Sequence, residues 1–291
     1  MSTATWTKFV ADFHLHSTFS DGILSPTDLV SLAADQGVTL MSLTDHDSTE
    51  GIAEATAACK AMGITLVPGS EVSTDIESDE VHVLGHFLDP ADERLQAFLL
   101  RNREGRFDRG RRMVEQLNEI GITVSWERVQ EIAGEAAIGR PHIAQALVEQ
   151  GHVATVAEAF ERFIGRNGPA YAERVKLTPR QAVEFIVSIG GIATFAHPQF
   201  TTSAREVLPD LVDAGLSGIE VYYKDLDQEA VEVYLALANQ YDLIPMGGTD
   251  YHGLNNPGER LPGRQVTPWP KEAVDRLFSK AEQLGRLRLV S

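Results

Sequence analysis

The chain has 291 residues, 43% of them hydrophobic, with 25 Lys and Arg against 42 Asp and Glu and a formal charge of −17. A length of this order buries one large α/β core, and the acidic excess argues against general capture of long DNA or RNA. No run approaches the roughly 20 apolar residues of a membrane span, and the first residues carry no hydrophobic signal core, so a soluble, cytoplasmic protein with no obligate protein partner is expected. The single cysteine, Cys59, excludes an internal disulfide and a cysteine-rich metal site.

In chain order, Lys8 to Phe13 reads as a strand, and Pro26 to Gln36 as a helix with Ser25 as N-cap, proline at the first position and Gly37 closing it. Thr39 to Thr44 is the next strand, 49–62 a helix ended by Gly63, Ile64 to Val67 a strand leading to Gly69-Ser70-Glu71, and Val81 to Phe87 another strand. Past Pro90 the pattern becomes helix after helix, over 91–119, 126–133, 141–150 and 155–163. Alternation resumes with a helix over 179–189, strand Ile192 to Ala196, helix 204–214, strand Gly218 to Val221, helix 227–240 and strand Leu243 to Met246. This order predicts an α/β barrel of parallel strands with a helical insertion: a first barrel part over 1–99, the insertion over 100–168 and a second barrel part over 169–291.

Polar residues gather at the ends of these apolar runs. His14 and His16 follow the first strand, Asp45 and His46 the second, Glu71 the third; His197 follows Ala193 to Ala196, and Asp250 and His252 follow Pro245 to Gly248. In a parallel barrel the carboxyl ends of all strands face one mouth, so these residues would converge there. The His-x-His spacing adds to this, because positions i and i+2 of an extended segment project to one side. A lone histidine after a strand is more often a hydrogen-bonded structural residue, but the conjunction outweighs that reading. Of the nine histidines, His14, His16, His46, His82, His197 and His252 are the candidate metal ligands, with Asp21, Glu71 and Asp250 supplying carboxylates. His86 shares a strand face with His82 and is the alternative to it, while Asp45 is expected to orient an imidazole rather than ligate.

The segments His14-Leu-His16-Ser-Thr-Phe-Ser-Asp21-Gly22, Thr44-Asp45-His46-Asp47, Pro68-Gly69-Ser70-Glu71, Ala196-His197-Pro198 and Gly248-Thr249-Asp250-Tyr251-His252 form an ordered set that spans nearly the whole chain. The set resembles that of the PHP (polymerase and histidinol phosphatase) superfamily. The module carrying Gly139-Arg140-Pro141-His142 is similar to that of its trp-operon-associated branch of 3′,5′-nucleotide bisphosphatases and 5′–3′ exoribonucleases. The resemblance implies a distorted, seven-stranded β/α barrel of the TIM-like kind. It also implies three divalent metal ions: one on His14, His16, Glu71 and Asp250, a second on Glu71, His82 and His197, a third on Asp21, His46 and His252, with Glu71 bridging. Some members carry His where this chain has Asp21. Mixed imidazole and carboxylate ligation suits Mn²⁺, Zn²⁺ or Fe²⁺, and manganese is favoured.

Phosphate monoester hydrolysis is so slow uncatalysed that one general acid or base cannot supply the acceleration, whereas clustered cations can. No G-x-S-x-G or P-loop stands in a strand-to-helix context, so the expected nucleophile is metal-bound water or hydroxide held by Glu71, Asp250 and His197. Arg140 and His142, at the start of a helical pattern, and Lys176 are expected to grip phosphate. Arg101, Arg103, Arg106, Arg109, Arg111 and Arg112 form either a solvated helix face or an anion guide, with Arg101, Arg109 and Arg112 on one side. The reaction expected is release of the 3′-phosphate from nucleoside 3′,5′-bisphosphates to leave 5′-monophosphates, with 5′–3′ trimming of short 5′-phosphorylated RNA. Histidinol-phosphate phosphatase and a non-catalytic metal-binding scaffold are the alternatives.

Overall fold

In the computed structural model, which describes residues 9–76, 79–134, 136–173, 177–253 and 258–290, seven strands lie side by side in chain order. They are β1 (Ala11–Asp12), β2 (Leu40–Leu43), β3 (Thr65–Asp75), β4 (Glu80–His86), β5 (Ile192–Phe195), β6 (Gly218–Tyr223) and β7 (Ile244–Gly248). The ring closes where β1 meets β7: the Phe13 N–H donates to the Gly247 carbonyl at 3.1 Å, and Leu15 bridges Tyr251 in parallel just beyond. The seven-stranded β/α barrel expected from the sequence is therefore the fold observed.

The expectation that all strands run parallel is corrected at β4. Only residues 76–79 separate β3 from β4, far too few for the crossover that parallel neighbours need, so the pair is antiparallel, with Ser73 opposite His82. β4 is also antiparallel to β5, and the remaining neighbours are parallel. The reversal matters for the mouth of the barrel, because there β4 contributes its beginning rather than its end.

Helices α1 (Pro26–Asp35) and α2 (Ile52–Met62) connect β1 to β3, and α1 starts as its sequence dictates: the Asp28 N–H donates to the Ser25 hydroxyl at 3.1 Å, with proline next to the cap. The helix expected over 91–119 is α3 (Glu93–Glu119), and the helical segment continues through α4 (Trp126–Ala133), α5 (Arg140–Glu149), α6 (Val156–Ala159) and a π-helical turn over Phe160–Ile164. α3 serves two cores. Leu95, Phe98 and Leu99 join the barrel core, where Phe98 stacks on Phe185 at 3.9 Å, whereas Met113, Val114 and Leu117 enter a second apolar cluster with Val129, Ile143 and Leu147. At Gly110 a side chain would come within 2.9 Å of Ile138, so glycine permits the close approach of α3 to the segment before α5.

Beyond the helical module, α7 (Pro179–Ser188), α8 (Ala204–Asp213) and α9 (Gln228–Gln240) return the chain between strands. A last helix, α10 (Lys271–Gln283), was not anticipated from the sequence; Trp269 just before it is buried and donates its indole N–H to the Pro245 carbonyl at 2.7 Å. Among the described residues no helix is long and apolar enough to cross a membrane.

Candidate metal centre and anion pocket

One carboxylate organises the mouth of the barrel. Glu71 Oε2 lies 3.1 Å from His14 Nε2, 3.2 Å from His16 Nε2 and 3.2 Å from His46 Nδ1; Oε1 lies 2.8 Å from His82 Nδ1 and 3.0 Å from His197 Nε2. Asp250 Oδ1 lies 3.3 Å from His14 Nε2 and 3.2 Å from His16 Nε2, and Asp21 Oδ1 lies 3.2 Å from His252 Nε2. The sequence candidates therefore meet in one buried cluster. Their ligand atoms fall into three overlapping groups, His14–His16–Glu71–Asp250, His16–Asp21–His46–His252 and His46–Glu71–His82, within 4.8 Å inside each. The first group matches the set implied by the resemblance. The other two redistribute the rest: His16 joins Asp21, His46 and His252, and His46 stands beside Glu71 and His82, with His197 on the same Glu71 oxygen as His82.

The antiparallel β4 explains why His82 and His86 part company. His82 opens the strand at the mouth, but His86 lies four residues further on, roughly 13 Å away along a strand, at the opposite end. There its Nε2 meets the Phe13 carbonyl at 3.1 Å, and burial pushes its pKa down to about 4.

Burial and charge compete at every group. Burial alone would raise Glu71, but the imidazoles of His46, His14 and His82 outweigh it and hold the carboxyl well below its ordinary range. Burial likewise opposes the charged form of His14, yet Glu220, Glu71 and Asp250 carry its pKa well above the usual value. His252 is raised to about 9, burial again being outweighed by Asp21 and Asp250, whereas burial dominates at His46 and lowers it. The residues fit divalent metal ions on a separate count: His16 Nε2 and Asp21 Oδ1 are buried in the cluster with ionic partners 3.2 Å away but no well-formed hydrogen bond. Buried polar atoms left without a hydrogen bond are costly in a folded protein, and metal ligation would satisfy atoms aimed into such a cluster. The backbone is strained at the same place, with left-handed φ of 49° at Asp47, 29° at His197 and 50° at Asp250.

Supporting carboxylates surround the cluster. Asp45 touches no imidazole; it accepts from the Ser17 N–H, the Ser17 hydroxyl and the Ser20 hydroxyl, each at 2.7 Å, and Ser20 Oγ lies 3.3 Å from His16 Nδ1. Its influence on an imidazole thus runs through Ser20. Glu220 was missed in the sequence. From β6 it places Oε1 3.0 Å from His14 Nδ1 and accepts the His197 N–H on Oε2 at 2.6 Å, tying two distant segments together. The available signal was a carboxylate inside the apolar run Ile219 to Tyr223. Tyr223, also unremarked, donates its hydroxyl to Asp250 Oδ2 at 2.6 Å.

Above the cluster is a cavity of about 380 Å³ lined by Asp21, His46, Glu71, His82, Asp250 and His252, by Arg106, Arg109, Arg140 and Phe160 of the helical module, and by Phe200, whose ring lies beside His197 and Tyr223. A larger hollow of about 520 Å³, between α3 and the segment before α5, has Arg103, Phe107 and Gln130 in its walls and none of the candidate ligands. The arginines that reach the cavity are spaced i, i+3 along α3. Arg106 Nε donates to Asp47 at 2.6 Å, and Arg109 donates to Glu80 at 2.5 Å; Arg140 also pairs with Glu80. Of the grouping Arg101, Arg109 and Arg112 only Arg109 lies there: Arg101 is exposed, and Arg112 donates to the Asp108 and Glu173 carbonyls. The difference arises because α3 turns Arg106 toward Ser73 of β3 and Arg109 toward Glu80 of β4. His142 is not in the cavity wall; its Nδ1 accepts the Gly139 N–H at 3.0 Å and so caps α5. Lys176 lies outside the described residues.

Comparison with known proteins gives a consistent result. The PHP domain model matches residues 12–168. A 3′,5′-nucleoside bisphosphate phosphatase from Chromobacterium violaceum is 35% identical over 260 residues, covering 88% of this chain and 90% of the relative. A 5′-3′ exoribonuclease from Haemophilus influenzae is 33% identical over 245 residues, covering 83% and 89%. A solved structure described as an amidohydrolase from Chromobacterium violaceum with bound sulfate superposes with a TM-score of 0.83 at 33% identity, covering 92% of this chain and 96% of that one.

Proposed function

The chain belongs to the PHP domain family, and from that premise we propose that it is a metal-dependent phosphoesterase that releases the 3′-phosphate of nucleoside 3′,5′-bisphosphates, leaving the 5′-monophosphate, and that trims short 5′-phosphorylated RNA in the 5′–3′ direction. The observation that carries this reading is the gathering of five imidazole nitrogens within 3.2 Å of the Glu71 carboxylate, beside Asp250 and Asp21, beneath an arginine-lined cavity. His14, His16, Asp21, His46, Glu71, His82, His197, Asp250 and His252 would hold three divalent ions, manganese by preference, in a cage of nitrogen and oxygen donors. Such ions supply Lewis-acid polarisation of a phosphoryl oxygen and activation of water near neutral pH.

The remaining work belongs to the chain itself. Glu220 and Tyr223 hold His14 and Asp250 in the orientation that directs their free atoms into the cluster. Arg106, Arg109 and Arg140, from the helical module, hold the second phosphate; guanidinium groups suit phosphate because their planar forks donate two parallel hydrogen bonds. Two anion sites suit a bisphosphate better than a phosphate ester whose other end is cationic. The test is product identification with manganese-loaded protein: adenosine 3′,5′-bisphosphate should yield adenosine 5′-monophosphate and phosphate, with histidinol phosphate turned over far more slowly. Preference for histidinol phosphate, or release of the 5′-phosphate, would overturn the assignment.

A further inference from the structure

Phe200 is 65% exposed, the most exposed large apolar side chain among the described residues, and it stands in the wall of the cavity. Apolar surface left in water is unfavourable by roughly 25 cal/mol per Å², which a ligand covering the ring would recover. Its surroundings hold the ring in place. The short 3-10 turn Pro198–Phe200 follows directly on His197, with the Phe200 N–H donating to the His197 carbonyl at 3.0 Å. Two residues on, the Thr202 N–H donates to Asp79 at 2.6 Å. The ring lies 5.7 Å from the His197 imidazole and 6.0 Å, edge to face, from Tyr223. Its seat is thus packed while much of the ring faces solvent. The cavity wall also carries Arg106, Arg109 and Arg140, the groups suited to phosphate, and Phe160, over whose ring Arg140 lies at 5.1 Å.

We propose that Phe200 is the platform on which the nucleobase of the substrate stacks. The inference rests on the phosphoesterase reading above and adds to it the recognition of the base. An aromatic face binds any planar heterocycle without hydrogen-bond readout, so affinity should follow stacking area, purines above pyrimidines, rather than base identity. It also separates nucleotides from sugar phosphates, which offer no π-face.

The direct test is binding. In a Phe200→Trp variant the new indole adds to the three native tryptophans, and its emission should be quenched by adenosine 5′-monophosphate but not by ribose 5-phosphate. Quenching by both, or by neither, overturns the proposal, and this readout does not depend on turnover. In kinetics, Phe200→Ala should raise KM for adenosine 3′,5′-bisphosphate by about 5- to 150-fold, the range of roughly 1–3 kcal/mol of stacking, with kcat little altered and Phe200→Trp restoring KM. The base-free anhydroribitol 3,5-bisphosphate should show no comparable rise; an equal rise for both esters, or none for either, refutes a stacking role. Quenching without hydrolysis by the parent protein would instead retain the platform and discard the reaction.

Discussion

Gly248 closes β7 against β1, and its replacement by alanine gives a sharp test of how the cluster is held. A β-carbon there would lie 2.4 Å from His14 Cβ and 2.7 Å from the His14 nitrogen. Carbon atoms pack at about 3.5–4.0 Å, so the two segments must part by at least about 1 Å. His14 and Asp250 both lean on this seam, since the Asp250 N–H donates to the His14 carbonyl at 2.8 Å. Overpacking should cost about 1–3 kcal/mol of stability, and a misplacement of about 1 Å should cost about 100-fold in kcat/KM. Gly37→Ala is the control: φ is +79° and no atom lies within 4 Å of the added carbon, so strain of about 1–2 kcal/mol falls on stability alone. The assay is manganese titration by calorimetry beside a thermal melt of the chelated proteins. Metal affinity should fall in Gly248→Ala and stay at the parent value in Gly37→Ala; parental affinity in Gly248→Ala would show that this seam does not position His14 and Asp250.

Glu220→Gln should lower metal affinity about 10- to 100-fold, because a neutral amide with one acceptor oxygen cannot serve both His14 and the His197 N–H; chelator competition measures it. The Cys59 thiol, fully buried and pushed up to about 12 by burial, should not react with Ellman's reagent at pH 8 until the protein is unfolded, and prompt reaction would show that the α2 face opens. In metal-free protein the imidazolium of His252, with a pKa of about 9 against 6.5 when unfolded, adds stability that is complete below 6.5 and lost as pH rises through 9. The raised His14 and His197 act in the same direction, so the melting temperature should fall across that window. With metal loaded the trend should reverse, since ligation displaces these protons; a melting temperature that ignores pH in both forms would contradict this.

Most of the candidate ligands were legible in the sequence because they follow apolar runs, and a barrel sends such positions to one mouth whatever the spacing between them; Asp21 lies in a polar loop, and His82 near the start of its strand. The seven-stranded closure was likewise accessible through the resemblance. The direction of β4 was not read from Val81 to Phe87, because an apolar run looks the same in either direction; the short 76–79 connection held the information. Glu220 escaped notice because a strand buried on both faces conceals a functional carboxylate among apolar neighbours. The choice among arginines on α3 depended on which stripe faces the barrel, a property of packing rather than of helical spacing. Phe200 carried no pattern at all, and only its exposure beside the cavity distinguishes it.

If the Glu71-centred cluster is a metal-dependent phosphoesterase site, hydrolysis must require both the metal and Glu71. The most direct measurement strips the protein with chelator, restores manganese stepwise, and records bound metal together with phosphate released from adenosine 3′,5′-bisphosphate, for the parent and for Glu71→Ala. No release from stripped protein, release that rises with up to three bound ions, and none from Glu71→Ala is the predicted result. Hydrolysis that persists without metal, or that survives in Glu71→Ala, would contradict it.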